Sequence, residues 1–197
     1  LPGKGAHMRN WMLVAVVFSF AVASFAQAQN PAGPASEPKQ PPPSLVAWWP
    51  ADGDAVDVIG GNDGALQNGV AFVPAVSGKG FLFDGKDDYV AVKDAPCLRG
   101  VRELTISFWV KFDRVPSEAE YGDSMRILEK RDDYFVMWRA DLDCFHFSKT
   151  DASDMKYHLG AVIPMPRMKP DIFYHIAVVA TDDLPFSDKK IAFCVNG

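Results

Sequence analysis

Two apolar runs around an Asp-Gly turn constrain this chain more than any other feature. Gly78-Lys79-Gly80-Phe81-Leu82-Phe83-Asp84-Gly85-Lys86-Asp87-Asp88-Tyr89-Val90-Ala91-Val92 leads to Leu104-Thr105-Ile106-Ser107-Phe108-Trp109-Val110-Lys111-Phe112. Both runs alternate with period two, as a strand does when it buries one face and wets the other. Leu104, Ile106, Phe108, Val110 and Phe112 fall on one face, with Thr105, Ser107, Trp109 and Lys111 on the other, so the second run is expected to be a half-buried strand of an antiparallel sandwich. Strands are also expected at Val46–Trp49, Ala65–Phe72, Ile127–Lys130, Tyr134–Arg139, Cys144–Ser148, Tyr157–Val162, Phe173–Ala180 and Lys190–Val195. No segment has helical periodicity, which makes the expected class all-β, and function must then be sought in the loops and on the exposed face.

A length of 197 residues at 48% apolar content suits one domain with a sizeable core, and 15 prolines with 15 glycines suit a loop-rich β chain. The formal charge of -5 and the absence of a Lys/Arg patch argue against a nucleic-acid partner, because binding a polyanion requires clustered cations.

The N-terminal residues divide by composition. Residues 1–7 precede the first methionine and are read as a non-native or mis-called upstream extension, outside the fold. Residues 8–28 read as a secretory signal: Met8-Arg9-Asn10, the apolar run Trp11–Phe25, then the small residues of Ala26-Gln27-Ala28. The run is short of the ~20 residues that span a bilayer, so no stable membrane span is expected, a retained anchor being the alternative. The expected location is therefore secreted, periplasmic or at the cell surface. Residues 29–43, rich in Pro and Ala, read as a disordered linker, and 44–197 as the folded domain. Asn196-Gly197 is a strong hairpin signal with no return strand after it, so the domain is expected to be incomplete at its C-terminus.

The pattern G-x-G-F-x-F-D-G-x-D-D-Y-V-x-V, followed by T-I-S-F-W-V-K-F and Tyr174-His175-Ile176-Ala177-Val178-Val179, resembles the laminin-G-like, concanavalin A-like lectin/glucanase superfamily of secreted modules. Ala47-Trp48-Trp49-Pro50 and Phe193-Cys194-Val195-Asn196-Gly197 extend the resemblance from about Val46 to Gly197. It implies a two-sheet antiparallel jelly-roll sandwich, and by itself no catalysis. Glucanase members carry alternating Glu and Asp on one strand, as E-x-D-x-E or E-x-D-x-x-E. No such run exists here, and Glu118, Glu120 and Glu129 do not supply one, so no enzyme is expected. Pentraxin-like relatives join two strands by a disulfide at positions that here hold Ser107 and Ala177, so that bridge is absent.

Three constellations carry the remaining chemistry. Asp52, Asp54, Asp57, Asn62, Asp63, Asp84, Asp87 and Asp88 offer the oxygen ligands calcium takes from irregular loops; Asp52, Asp57, Asn62 and Asp84 are the expected set for a structural calcium ion, against ordinary turn chemistry as the alternative. Among Trp48, Trp49, Trp109, Tyr134, Trp138 and Tyr174, the candidates for stacking on sugar rings are Trp109, Trp138 and Tyr134. The expected partner is carbohydrate or glycoprotein; the alternative is a protein-binding adhesion or structural module with no sugar site. Cys97, Cys144 and Cys194 form an odd set in which Cys144–Cys194 is one of three pairings, and buried free thiols are the other reading. His146, His158 and His175 lack zinc spacing, and His175 reads as a packed or hydrogen-bonded strand residue.

Overall fold

The computed structural model describes residues 12–19, 43–99, 103–117, 124–151, 154–162, 168–181 and 190–196. The chain is all-β. In order, its strands are β1 (Met12–Ser19), β2 (Leu45–Trp49), β3 (Gly64–Gln67), β4 (Ala71–Pro74), β5 (Lys79–Phe83), β6 (Tyr89–Val92), β7 (Glu103–Phe112), β8 (Ser124–Lys130), β9 (Tyr134–Arg139), β10 (Cys144–Asp151), β11 (Asp154–Val162), β12 (Tyr174–Thr181) and β13 (Lys190–Val195). Among the described residues a single 3-10 turn, Pro96–Leu98, interrupts them. No helix among the described residues is long and apolar enough to cross a membrane.

The strands form three antiparallel sheets. The largest has seven strands in the order β13-β12-β7-β1-β5-β4, with β2 also paired to β1; a second runs β11-β10-β9-β8; and β3 pairs with β6. The period-two reading of β7 holds: Leu104, Ile106, Phe108, Val110 and Phe112 are all buried, and the positions between them are wetter. Tyr174, Ile176, Val178 and Ala180 alternate in the same way on β12. These side chains meet Val136, Trp138, Phe145 and Phe147 of the second sheet in one core, with Phe108 edge-on to Phe145 and Phe112 tilted against Trp138. Burial of aromatic area of this kind dominates the energetics of a core.

Local turn chemistry overturns one expected strand. Ala65–Phe72 is not continuous: Asn68 takes a positive φ of 61°, and the chain passes from β3 in the small sheet to β4 in the large one. Asn tolerates that conformation and Gly69 follows it, the usual composition of a tight turn. The register of β7 against β12 places Ser107 opposite Ala177.

The three cysteines are free, which corrects the Cys144–Cys194 pairing. Cys144 is buried and Cys194 exposed, opposite Ala177 on the outward positions of β13. Burial pushes the Cys144 thiol up, as expected of an inert core thiol. Of the N-terminal readings, residues 1–11, 20–28 and 29–42 lie outside the described residues, as do Glu118 and Glu120. Met12–Ser19, within the expected leader, is the interior strand β1.

Candidate ligand-binding cleft

A cleft of about 420 Å³ opens between the β5–β6 side of the molecule and β8. Trp49, Phe81, Leu98 and Tyr134 form a buried floor, and Phe83, Val90, Val92, Ile127 and Leu128 form apolar walls. Asp88, Tyr89, Lys93, Arg126, Glu129 and Lys130 supply the polar lining. The volume falls in the range of small-ligand clefts, and the lining combines apolar walls with a charged rim. Tyr89 is 53% exposed. It begins β6 directly after the Asp84–Asp88 turn, and this placement leaves its ring in solvent.

The polar lining is partly tied down. Lys130 bonds Asp94, which also bonds Arg99 at 2.9 Å, and these two cations hold the Asp94 carboxyl below its ordinary value. The Arg126 guanidinium lies 3.5 Å from the centre of the Phe135 ring and 3.8 Å from Glu129. Asp88 accepts the backbone N–H of Gly69 at 2.6 Å and of Asp84 at 2.9 Å. At the floor, Trp49 donates its indole N–H to the Asn62 carbonyl at 2.9 Å, and the Tyr134 hydroxyl donates to the Leu98 carbonyl at 2.7 Å. Burial pushes the Tyr134 phenol far up, so it remains a neutral donor.

The three aromatic candidates are placed apart. Trp138 is fully buried, 5.1 Å from Phe145 between ring centres, with its N–H directed to the Pro116 carbonyl, so it cannot stack on a ligand. This corrects its assignment: Tyr134, Val136 and Trp138 all turn inward on β9, and that face is core. Tyr134 reaches the cleft floor, but its ring is buried and its hydroxyl spoken for, so it shapes the cleft and is no exposed stacking platform. Trp109 alone is accessible, at 37%, on the outward face of β7. There it stands opposite His175, with 5.1 Å between ring centres, and His175 Nε2 lies 2.7 Å from Ser107 Oγ. Burial holds the His175 imidazole below its ordinary value. Lys111 lies over Phe173 on the same side.

The expected calcium set does not converge. Asp57 is 3% exposed, and its Oδ1 accepts the backbone N–H groups of Trp48, Ile59 and Gly60, while Oδ2 accepts the backbone and side-chain N–H of Asn62. Burial pushes this carboxyl up, but the main-chain donors of Gly60, Trp48 and Asn62 outweigh it and hold the group below 3.8. Asp57 is thus the internal anchor of its loop and not a metal ligand. Asp52 accepts the backbone N–H of Lys79 at 3.1 Å. Asp84 instead groups with Asp87 and Asp88, whose carboxylate oxygens lie within 4.8 Å of one another. Asp84 accepts the N–H of Lys86 and Asp88 that of Asp84, which is ordinary turn chemistry.

Sequence reasoning missed Tyr89 and Arg126. The first was legible as an outward position beside a turn; the second depends on β8 facing β6, which no local pattern encodes. No protein-family model matches this chain, and comparison with curated proteins and with solved structures returned no significant match.

Proposed function

We propose that this chain is a secreted, non-catalytic module of laminin-G-like jelly-roll type that recognises carbohydrate or glycoprotein through the cleft between β6 and β8. The observation that carries the reading is the combination of the exposed Tyr89 ring, an apolar wall and a charged rim around one cavity of about 420 Å³. A sugar ring has apolar C–H faces that lie on an aromatic plane and hydroxyl edges that need donors and acceptors, and such a cleft offers both. The two carboxylates of the cleft support binding over hydrolysis: both oxygens of Asp88 accept backbone N–H groups, and Glu129 faces Arg126. Neither stands as the free acid of a hydrolytic pair. Export rests only on the leader-like composition of residues 8–28, of which Met12–Ser19 is paired as β1 in the large sheet.

The test is a glycan array of neutral and acidic oligosaccharides, followed by titration of the best binder. Tyr89→Ala and Arg126→Ala should each weaken binding by about tenfold, the loss of roughly 1.4 kcal/mol of stacking or hydrogen bonding, while Trp109→Ala leaves it unchanged. If Trp109→Ala abolishes binding and Tyr89→Ala does not, the site lies on the outward face of β7. A blank array sinks the saccharide reading and leaves the protein-binding adhesion module.

A further inference from the structure

β7 has a neighbour on each side, β12 along one edge and β1 along the other. β1 pairs with it from Met12↔Phe112 to Ser19↔Thr105. The opposite edge of β1 is shared between β5, which pairs with Met12, Leu13 and Val14, and β2, which pairs with Val16 to Ser19. Neither β2 nor β5 pairs with β7. Without β1 the sheet is therefore split by a slot one strand wide, with unpaired N–H and C=O groups on both banks. The slot runs beside the strand that carries Ile106, Phe108, Val110 and Phe112 into the core, not along an outer edge of the sheet.

The register states what such a slot accepts. Residues directly opposite one another share a face of the sheet. Met12, Val14, Val16 and Phe18 hold the register positions opposite the buried Phe112, Val110, Phe108 and Ile106; Leu13, Ala15, Val17 and Ser19 hold those opposite Lys111, Trp109, Ser107 and Thr105. Main-chain pairing is indifferent to sequence, so the requirement is an extended segment with apolar residues at the first set of positions. Residues 20–44 connect β1 to β2 and contain Ala26-Gln27-Ala28, so a cut there breaks the covalent link outside the paired residues Met12–Ser19 and Leu45–Trp49.

We propose that the seat of β1 is a strand-acceptor slot, filled in trans by an extended segment that, like Met12–Ser19, is apolar at the positions opposite Ile106, Phe108, Val110 and Phe112, once Met12–Ser19 is severed from the chain. This inference is independent of the saccharide reading. To test it, a specific protease site is placed within residues 29–43 of the full chain, and the cut protein is offered a fluorescent Met12–Ser19 peptide with a charged tail. The control peptide carries Val14→Asp and Val16→Asp. The label should co-elute with the cut protein about tenfold more than the control, with little uptake by the uncut protein, and amide exchange across Thr105–Phe112 should stay slow. Equal uptake of the two peptides, equal uptake by uncut protein, or no uptake, whether the cut protein stays folded or aggregates, overturns it.

Discussion

The loop at 52–63 and the turn at 84–88 are both built from Asp and Gly, and the molecule uses them in opposite ways. In the first, Asp57 is enclosed by main-chain donors from Trp48, Ile59, Gly60 and Asn62, and Asp63 adds a bond to the N–H of Asp57. In the second, Asp87 stands exposed beside Asp84 and Asp88; Asp84 accepts the N–H of Lys86, and Asp88 those of Asp84 and Gly69. One loop is closed on itself by a buried carboxylate; the other turns the chain with exposed and half-exposed carboxylates, one of which also holds the Gly69 N–H. The number of acids near one another in sequence does not decide whether they are available to a ligand. What decides it is how many backbone N–H groups converge on each.

The strongest test of this contrast removes the enclosed carboxylate. Asp57→Ala strands several donors in a loop that packs against β2, and each buried unsatisfied group costs about 1–3 kcal/mol, so a loss of about 3 kcal/mol or more is expected. Asp84→Ala should cost under about 1 kcal/mol, because its carboxylate accepts one exposed N–H, that of Lys86. Denaturant midpoints of the two variants, compared at equal slope, decide it. Equal losses would mean that the loops differ only in appearance.

Gly60 probes the same corner from the backbone side. A Cβ there would stand 2.4 Å from the Val46 carbonyl oxygen and 2.8 Å from Asp57 Oδ2. The first of these is main chain of β2 and cannot swing aside, so Gly60→Ala should destabilise by about 2 kcal/mol through displacement of the loop. Gly61, where an added Cβ meets nothing within 4 Å, is the partner control, although its φ of 69° brings a smaller backbone cost. A thermal melt in which Gly60→Ala loses no more than Gly61→Ala would show that the loop yields freely.

Much of this architecture was legible in the sequence, and the reason is physical. Alternation over Leu104–Phe112 specifies which face is buried whatever the partner strand is, so β7 could be read locally. The same rule misled at Trp138, because alternation separates two faces without saying which of them meets the core, and on β9 the face of Tyr134, Val136 and Trp138 does. The cleft was not legible, since it arises where β6 and β8 approach from different sheets. Asp57 was noticed for the right chemistry and the wrong partner: its oxygens attract positive charge, and the loop itself supplies it as N–H dipoles.

The pH profile sharpens the contrast further. Asp57 has a folded-state value below its ordinary 3.8, so its contribution is fully present above about pH 4 and is lost as the pH falls through that lower value. The stability gap between the native chain and Asp57→Asn should therefore be constant at neutral pH and close under acid. His175, held below its ordinary 6.5 by burial, has a separate window: stability is present above that value and is lost as the pH falls further. His175→Gln should remove the upper window and leave the lower one. A gap for Asp57→Asn that widens as pH drops would reverse the sign and contradict the enclosure.

The smallest expected effect is that of calcium. Asp52, Asp57 and Asp84 do not meet, and Asp57 has no oxygen left for an ion that takes six to eight ligands. Among the described residues, the carboxylate cluster left for calcium is Asp84, Asp87 and Asp88. With two of those carboxylates already accepting backbone N–H groups, millimolar calcium should raise the melting temperature by less than about 2 °C, equivalent to a few tenths of a kcal/mol. Any shift should vanish in Asp87→Asn, survive in Asp52→Asn, and be matched by magnesium if it is only screening of exposed charge. Asp57→Ala should lower stability by the same amount with and without the ion, because its partners are the protein's own amides. A shift of many degrees that Asp52→Asn abolishes would show that the two loops close on a metal together, and the division between an enclosed and an open acidic loop would fail.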